Sequence, residues 1–319
     1  GEGALRIKTA FLAVELPVGH ATAILLVELF ERVELLVFQR CGVLGGFEGW
    51  ATNSCHIWTQ STSLPFAGFK RGRQFDFVAD FAAYVPVSVT AELLGVDASQ
   101  RENFKIWTAD LLNAANRATL SAADVERIRA SVAELRSYLE RSIAERRANP
   151  GNDFISLLVK AEEGGDVLSS IQVLSIAVLT HFGGSETPSH MISSALIALS
   201  ENPDALARLR AQPNLSANVI EETLRYWSPV NLVFQTAVHD VEMHGVTIPA
   251  GSYVLSYISS ANRDERRFTA PDRFDIDRDA HHHLSFAHGP HYCPGAALGK
   301  RMGAIALEAV MERMPNLRR

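Results

Sequence analysis

Between Phe75 and Tyr226 the apolar residues recur at helical spacing in one segment after another, and this repetition restricts the fold more than any other feature. Val125–Ala148 is the plainest case. Ile128, Val132, Leu135, Leu139 and Ile143 fall at steps of three or four, so they line one face of a helix that Pro150 and Gly151 then stop. The same spacing predicts helices over Phe75–Val96, ended by Gly95, over Phe154–Glu162, and over the long apolar run Ser169–Leu199 that follows Gly164 and Gly165. Asn202 followed by Pro203 reads as an N-cap and first-turn proline opening a helix to Ala211, and Leu215–Tyr226 forms the next.

The texture then changes. Val230–Ser259 is rich in β-branched residues and punctuated by His239-Asp240, His244-Gly245 and Pro249-Ala250-Gly251, which predicts short antiparallel strands. Phe268–His291 reads as loop, and a last helix is expected over Pro294–Met314. The fold class is therefore mainly α with a small β portion toward the C-terminal side. Residues 1–74 carry no period: apolar patches alternate with Gly42, Gly45, Gly46 and Gly49 and a Ser/Thr-rich stretch. No linker divides the chain, so 1–74 and the core over 75–319 are expected to form one domain.

With 319 residues, 47% of them hydrophobic, the chain has ample material for a core that encloses a cofactor. Its 30 Lys+Arg against 36 Asp+Glu give a formal charge of −6, which offers no field for a phosphate backbone, so nucleic acid is excluded as a partner. Three cysteines, Cys41, Cys55 and Cys293, make no disulfide framework and no paired spacing, which points to the reducing cytoplasm. The apolar stretch Thr9–Phe38 is interrupted by Glu15, Pro17, His20, Glu28, Glu31, Arg32 and Glu34, whereas a membrane span needs about 20 nearly uncharged residues. It also lacks the marks of a secretory signal.

Three short strings carry the chemistry. In Phe286-Ala-His-Gly289-Pro-His291-Tyr-Cys293-Pro-Gly295, glycines frame a cysteine set directly before a helix, whose N-terminal dipole is expected to favour thiolate over thiol. A lone cysteine is ordinarily a packing residue, but a loop that delivers an anionic sulfur suits a metal. Zinc competes, since His281, His282, His283, His288 and His291 are near, yet a single cysteine without paired spacing is a poor zinc set. Glu222 and Arg225, three apart, would by themselves be an ordinary helix pair. Gly183-Gly184-Ser185-Glu186-Thr187-Pro188 would by itself be a kink. Because Pro188 has no N–H, the Gly184 carbonyl loses its usual donor and a groove opens in the helix.

Together these strings resemble the cytochrome P450 family. The ligand loop of that family, F-x-x-G-x-H-x-C-x-G, is matched at Phe286, Gly289, His291, Cys293 and Gly295. The resemblance implies a P450 fold in which Cys293 is the proximal thiolate of haem b (iron protoporphyrin IX), His291 bonds a propionate and Phe286 packs beside the loop. Glu222 and Arg225 resemble the family's E-x-x-R. Arg273, within Phe268–Phe274, is the implied third member of that buried network, and Ser260–Asp264 matches the stretch before it. Gly183–Thr187 resembles the oxygen-activation motif, which implies that Thr187 steadies bound O2 and that Glu186 belongs to the proton route. Gln235 stands where the family usually has an arginine for a propionate. Substrate contacts are expected from Leu179, Phe182 and Gly183 on one side and from Val230, Asn231, Leu232 and Val233 on the other. Asn231 either orients a polar group of the substrate or satisfies backbone at a strand start.

The implied activity is a cytoplasmic haem-thiolate monooxygenase acting on an apolar or amphipathic small molecule, with electrons from a ferredoxin or flavoprotein and no membrane contact. A peroxide-driven peroxygenase and a non-catalytic haem-binding or partner-stabilising relative are the alternatives. The resemblance covers residues 75–314, against about 400 for a family domain. The family's basic propionate contacts are not found before residue 75, and Arg319 comes before its C-terminal hairpin, so the fold is expected to be truncated at both ends.

Overall fold

The computed structural model describes residues 7–8, 75–114, 120–163 and 168–314. Cys41, Cys55, the run Thr9–Phe38, the four glycines between 42 and 49, Gly164, Gly165 and Arg319 lie outside the described residues.

A five-residue π-helical turn, Val78–Ala82, leads into α1 (Tyr84–Leu93). Helices α2 (Arg101–Asn113), α3 (Ala122–Ala148) and α4 (Phe154–Glu163) follow. Helix α2 was not anticipated from the sequence. Its apolar stripe of Phe104, Trp107 and Leu111 is interrupted by Thr108 and Asp110, which are nonetheless buried. Tertiary partners make that burial tolerable: the Ser131 hydroxyl donates to Asp110 at 2.5 Å, and Arg127 pairs with the same carboxylate. Helix α3 starts three residues before the predicted Val125, because Ser121 caps it. The Ser121 Oγ accepts from the Asp124 N–H at 3.2 Å, and the Asp124 carboxylate accepts from the Ser121 N–H at 3.1 Å.

The single long helix expected over Ser169–Leu199 is two helices, α5 (Ser170–Gly183) and α6 (Glu186–Glu201). Gly184 closes α5 with φ −84° and ψ −2°, and a side chain there would place its Cβ 2.6 Å from the Thr90 methyl of α1, so only glycine fits. The Ser185 hydroxyl donates to the His181 carbonyl at 2.6 Å and finishes the last turn of α5. Pro188 cannot extend the ladder back across this point. The break is a product of local chemistry reinforced by packing.

Helices α7 (Pro203–Ala211) and α8 (Ser216–Tyr226) precede the β portion. Strand β2 (Leu232–Ala237) lies between β1 (Ile7–Lys8) and β5 (Tyr253–Tyr257), antiparallel to both, with Phe234 opposite Leu255. Strands β3 (Val241–Met243) and β4 (Val246–Ile248) form a separate hairpin turning at His244-Gly245. The one-turn helix α9 (Ile258–Ala261) opens the long loop region, and α10 (Ala296–Arg313) follows it. Helix α10 starts two residues after the predicted Pro294, because Pro294 and Gly295 are spent on a turn in which the Ala296 N–H donates to the Cys293 carbonyl at 3.2 Å.

Among the described residues, two apolar cores hold these pieces. One gathers Phe81 of the π-helical turn with Phe104, Leu135, Leu139, Ile155 and Leu158 among α1 to α5. The other packs α6, α8 and α10 together through Met191, Ala195, Leu199, Val219, Ile220, Leu224, Ala304 and Leu307. Each of the Leu, Ile, Val, Phe and Met side chains among them contributes about 1.5–3 kcal/mol by leaving water, and truncating Leu139 to Ala would cost about 2–5 kcal/mol. The second core holds α8, which carries Glu222 and Arg225, against α10, which follows the cysteine loop. Among the described residues no helix is long and apolar enough to cross a membrane.

Candidate functional site

The cysteine loop is anchored before it reaches Cys293. The Ser285 hydroxyl donates to the Leu224 carbonyl of α8 at 2.6 Å. Fully buried Asn262 accepts the Leu284 N–H at 2.7 Å and donates to the Ser285 hydroxyl at 2.9 Å. The chain then turns where Gly289 takes φ +72°, a conformation that glycine reaches without steric cost, and passes through a single turn of 3-10 helix, Gly289–His291. The Cys293 N–H donates back to the Phe286 carbonyl at 2.9 Å, and the Phe286 ring sits 5.6 Å from His283 and edge-on to Tyr292 at 6.3 Å. Phe286 therefore packs beside the loop and closes it through its carbonyl. His291 is partly buried.

Burial pushes the Cys293 thiol up, and a hydrogen bond from the Gly295 N–H pulls it partway back. The expectation that a helix dipole favours thiolate is corrected here: α10 begins only at Ala296, and desolvation dominates. A sulfur in this setting becomes anionic when a cation is placed on it. Among the described residues, no three His, Cys, Asp or Glu side chains converge to hold a metal ion.

Behind the loop lies a buried network. Arg225 and Glu222 are fully buried and joined twice, Nε to Oε2 and Nη2 to Oε1, each at 2.8 Å. Nη1 donates to the carbonyls of Asn262 (3.0 Å) and Pro271 (2.8 Å), and Nη2 to that of Arg273 (3.1 Å), so every guanidinium N–H is engaged. Glu222 Oε1 also accepts the Asp275 N–H at 2.8 Å and Arg278 Nε at 3.3 Å. The implied role of the Arg273 side chain is corrected: Arg273 is exposed and contributes only its carbonyl, while the second guanidinium is that of Arg278. The turn at Phe274–Ile276 buries Phe274 and Ile276, and so faces Arg273 outward.

At the α5–α6 break the Thr187 hydroxyl donates to the Gly183 carbonyl at 2.8 Å, and the position of a Gly183 Cβ is open space. Glu186 is partly exposed, with His190 Nε2 3.8 Å from its Oε1 one turn along α6. Leu179 and Phe182 are partly buried against the first core. Of the second expected substrate group, Val230 is exposed and Leu232 and Val233 partly buried. Asn231 is exposed and spent locally: its Oδ1 accepts the Ser259 hydroxyl at 2.8 Å and its carbonyl accepts the Ser259 N–H at 3.2 Å. Of its two readings the structure favours the backbone anchor. Gln235 lies on β2 opposite Val254 and accepts from the Ser256 hydroxyl at 3.4 Å.

Sequence reasoning passed over His181. It is fully buried on α5, with its ring 3.8 Å from that of Phe104. The Thr108 hydroxyl donates to the Phe104 carbonyl at 2.7 Å, so it accepts from His181 Nε2–H at 3.0 Å. Nδ1 then has no partner among the described residues, and burial pushes the imidazole down to about 3. The available signal was a histidine inside the apolar run Val173–Val178 and Phe182.

The family model for Cytochrome P450 matches residues 112–314, most of the described chain. The chain belongs to the cytochrome P450 family. Cytochrome P450 107B1 of Saccharopolyspora erythraea is 39% identical over 246 residues, covering 77% of this chain and 59% of its own length. The monooxygenase PikC of Streptomyces venezuelae is 37% identical, with 76% and 57% covered. A solved structure of P450BioI in complex with a hexadec-9Z-enoic acid ligated acyl carrier protein superposes with a TM-score of 0.81 at 28% identity, covering 98% of this chain and 82% of that one. The chain thus spans about three fifths of the length of the curated relatives it matches. Membership of the cytochrome P450 family implies haem, and the donors fit it. A single half-buried sulfur, backed by the Gly295 N–H and displayed on an anchored loop, suits an axial ligand and not a multidentate cage.

Proposed function

We propose that this chain is the core of a haem-thiolate monooxygenase that inserts one atom of O2 into an apolar or amphipathic small molecule, in a cytoplasmic setting. The observation that carries this reading is Cys293: its amide is pinned to the Phe286 carbonyl at 2.9 Å, and its half-buried sulfur accepts the Gly295 N–H. Haem b bound through that sulfur would supply O2 activation, with thiolate donation favouring O–O cleavage.

The chain's own residues do the rest. The Gly295 N–H tempers the charge on Sγ, and His291 and Gln235 are the groups proposed to meet the propionates. The Thr187 hydroxyl gives its own proton to the Gly183 carbonyl and keeps its oxygen as an acceptor, and Glu186, reaching solvent beside His190, is the group proposed to pass protons to it. Leu179, Phe182, Gly183, Val230, Leu232 and Val233 are proposed to shape the apolar pocket, with Asn231 holding the strand entry. Two electrons from a ferredoxin or flavoprotein and two protons balance the reaction. One oxygen atom enters the substrate and the other leaves as water. Monooxygenase names among the relatives, PikC and a steroid C26-monooxygenase of Mycobacterium tuberculosis, support the reading.

The deciding experiment is the ferrous–CO difference spectrum. The wild-type chain gives the red-shifted Soret band of a thiolate-ligated haem and Cys293→Ala does not; a band retained by the variant, or missing from the wild type, overturns the assignment. Comparing turnover on peroxide with turnover on NAD(P)H and a reductase then separates this reading from a peroxygenase.

A further inference from the structure

Glu221 and Glu222 are adjacent on α8, yet their carboxylates serve different partners. Glu222 holds Arg225 and Arg278, as described. Glu221 Oε1 accepts Lys300 Nζ at 2.8 Å and lies 3.3 Å from His281 Nδ1, while its Oε2 meets His283 Nε2 at 3.1 Å. His283 Nδ1 accepts the Ser285 N–H at 3.1 Å, so the ring proton sits on Nε2 and is donated to Glu221.

We propose that Glu221 is a positioning residue for the haem-ligand loop, a single carboxylate that ties down both flanks of the segment carrying Cys293. His283 precedes the cysteine in the chain and Lys300, on α10, follows it, so one side chain of α8 fixes where the loop leaves the protein body and where it returns. The link onward is short. The His283 ring packs on Phe286, and the Phe286 carbonyl receives the Cys293 amide. The carboxylate is largely buried, with side-chain exposure of 12%. Burial opposes its charge, and hydrogen bonds from His283 and Lys300 overcome that opposition and hold it down at about 2. A buried carboxylate with two cationic or N–H partners on opposite sides of a loop resists displacement of either, because moving one away leaves charge uncompensated. The inference deepens the haem-thiolate reading and rests on it for its function, but the clamp itself is a property of the polypeptide.

The test uses the full chain. Hydrogen exchange is followed at the Cys293 amide and in peptides spanning 284–296, and the rate at which the CO-bound protein loses its thiolate Soret band is measured beside it. The variants are Glu221→Ala, Glu221→Gln and Lys300→Met, with Leu158→Ala, in the other core, as a stability control. Glu221→Ala should speed exchange of the loop and loss of the thiolate band by about tenfold relative to Leu158→Ala, the size expected for losing hydrogen bonds to a charged group. Glu221→Gln keeps an acceptor for His283 and should fall within about threefold of wild type, and Lys300→Met should lie between. If Glu221→Ala does not fold, the two milder variants carry the comparison. Loop exchange no faster than in the control, or faster to the same degree in α3, overturns the clamp. A wild type with no thiolate band overturns the haem reading instead, and exchange still decides whether Glu221 holds the loop.

Discussion

The Thr187 hydroxyl donates to the Gly183 carbonyl across the break between α5 and α6, at 2.8 Å. That bond commits the hydroxyl proton to the carbonyl and leaves the oxygen as an acceptor beside Gly183, where a Cβ would meet nothing within 4 Å. Thr187→Ala removes the hydroxyl and a hydrogen bond worth about 0.5–1.5 kcal/mol, so fold and haem binding persist. The expected change is in coupling: electrons from NAD(P)H divert to peroxide or water, while Thr187→Ser keeps most product. Unchanged product per NAD(P)H consumed in Thr187→Ala would remove Thr187 from proton delivery.

The two arginines near Glu222 give opposite expectations. Arg278 pairs with a fully buried carboxylate, so Arg278→Ala leaves charge partly uncompensated and should cost about 3 kcal/mol or more. Arg273 is exposed and only its carbonyl is used, so Arg273→Ala should stay within about 0.5 kcal/mol of wild type. Denaturant unfolding of both variants checks this, and equal losses would return the network to Arg273.

His181 gives the fold a defined acid sensitivity. Unfolded, it takes up a proton near its ordinary 6.5; folded, it stays neutral down to about 3. Between these values the unfolded state binds more protons, so stability is complete above 6.5 and declines as pH falls. From pH 7 to about pH 4.5 the loss due to this group should be roughly 2–3 kcal/mol, and a His181→Leu variant should show a correspondingly flatter profile over that range. Glu221 adds its own loss only as pH falls below its ordinary 4.5 toward about 2. Parallel profiles for variant and wild type would show that His181 protonates without unfolding the chain.

Pro294 has no N–H to offer the sulfur of Cys293, and the donor that reaches it is Gly295. Introducing an N–H with Pro294→Leu should withdraw further charge from sulfur and raise the ferric/ferrous potential of the haem-loaded protein. Because Pro294 precedes α10 and does not start it, the helix should be unaffected. Spectroelectrochemical titration checks the direction, and an unchanged or lower potential would mean that the residue serves only the turn.

Local spacing made much of this legible. The amphipathic stripe of α3, the Pro203 start of α7 and the hairpin turn at His244-Gly245 depend on residues close in the chain, and so do the five positions of the cysteine loop. The family resemblance was likewise carried by strings of neighbouring residues. What the sequence could not decide were choices among distant partners. Arg273 and Arg278 are both plausible mates for Glu222 in one dimension, and only the packing of Phe274 and Ile276, which turns one outward and the other in, selects Arg278. The thiol of Cys293 is raised rather than lowered, because desolvation is a property of everything folded around it. The buried Thr108–His181 pair and the double reach of Glu221 to His283 and Lys300 join segments far apart in sequence, where no periodicity runs between the partners. Short-range hydrogen bonding and turn preference are written in consecutive residues, while burial and charge pairing are settled by which surfaces meet.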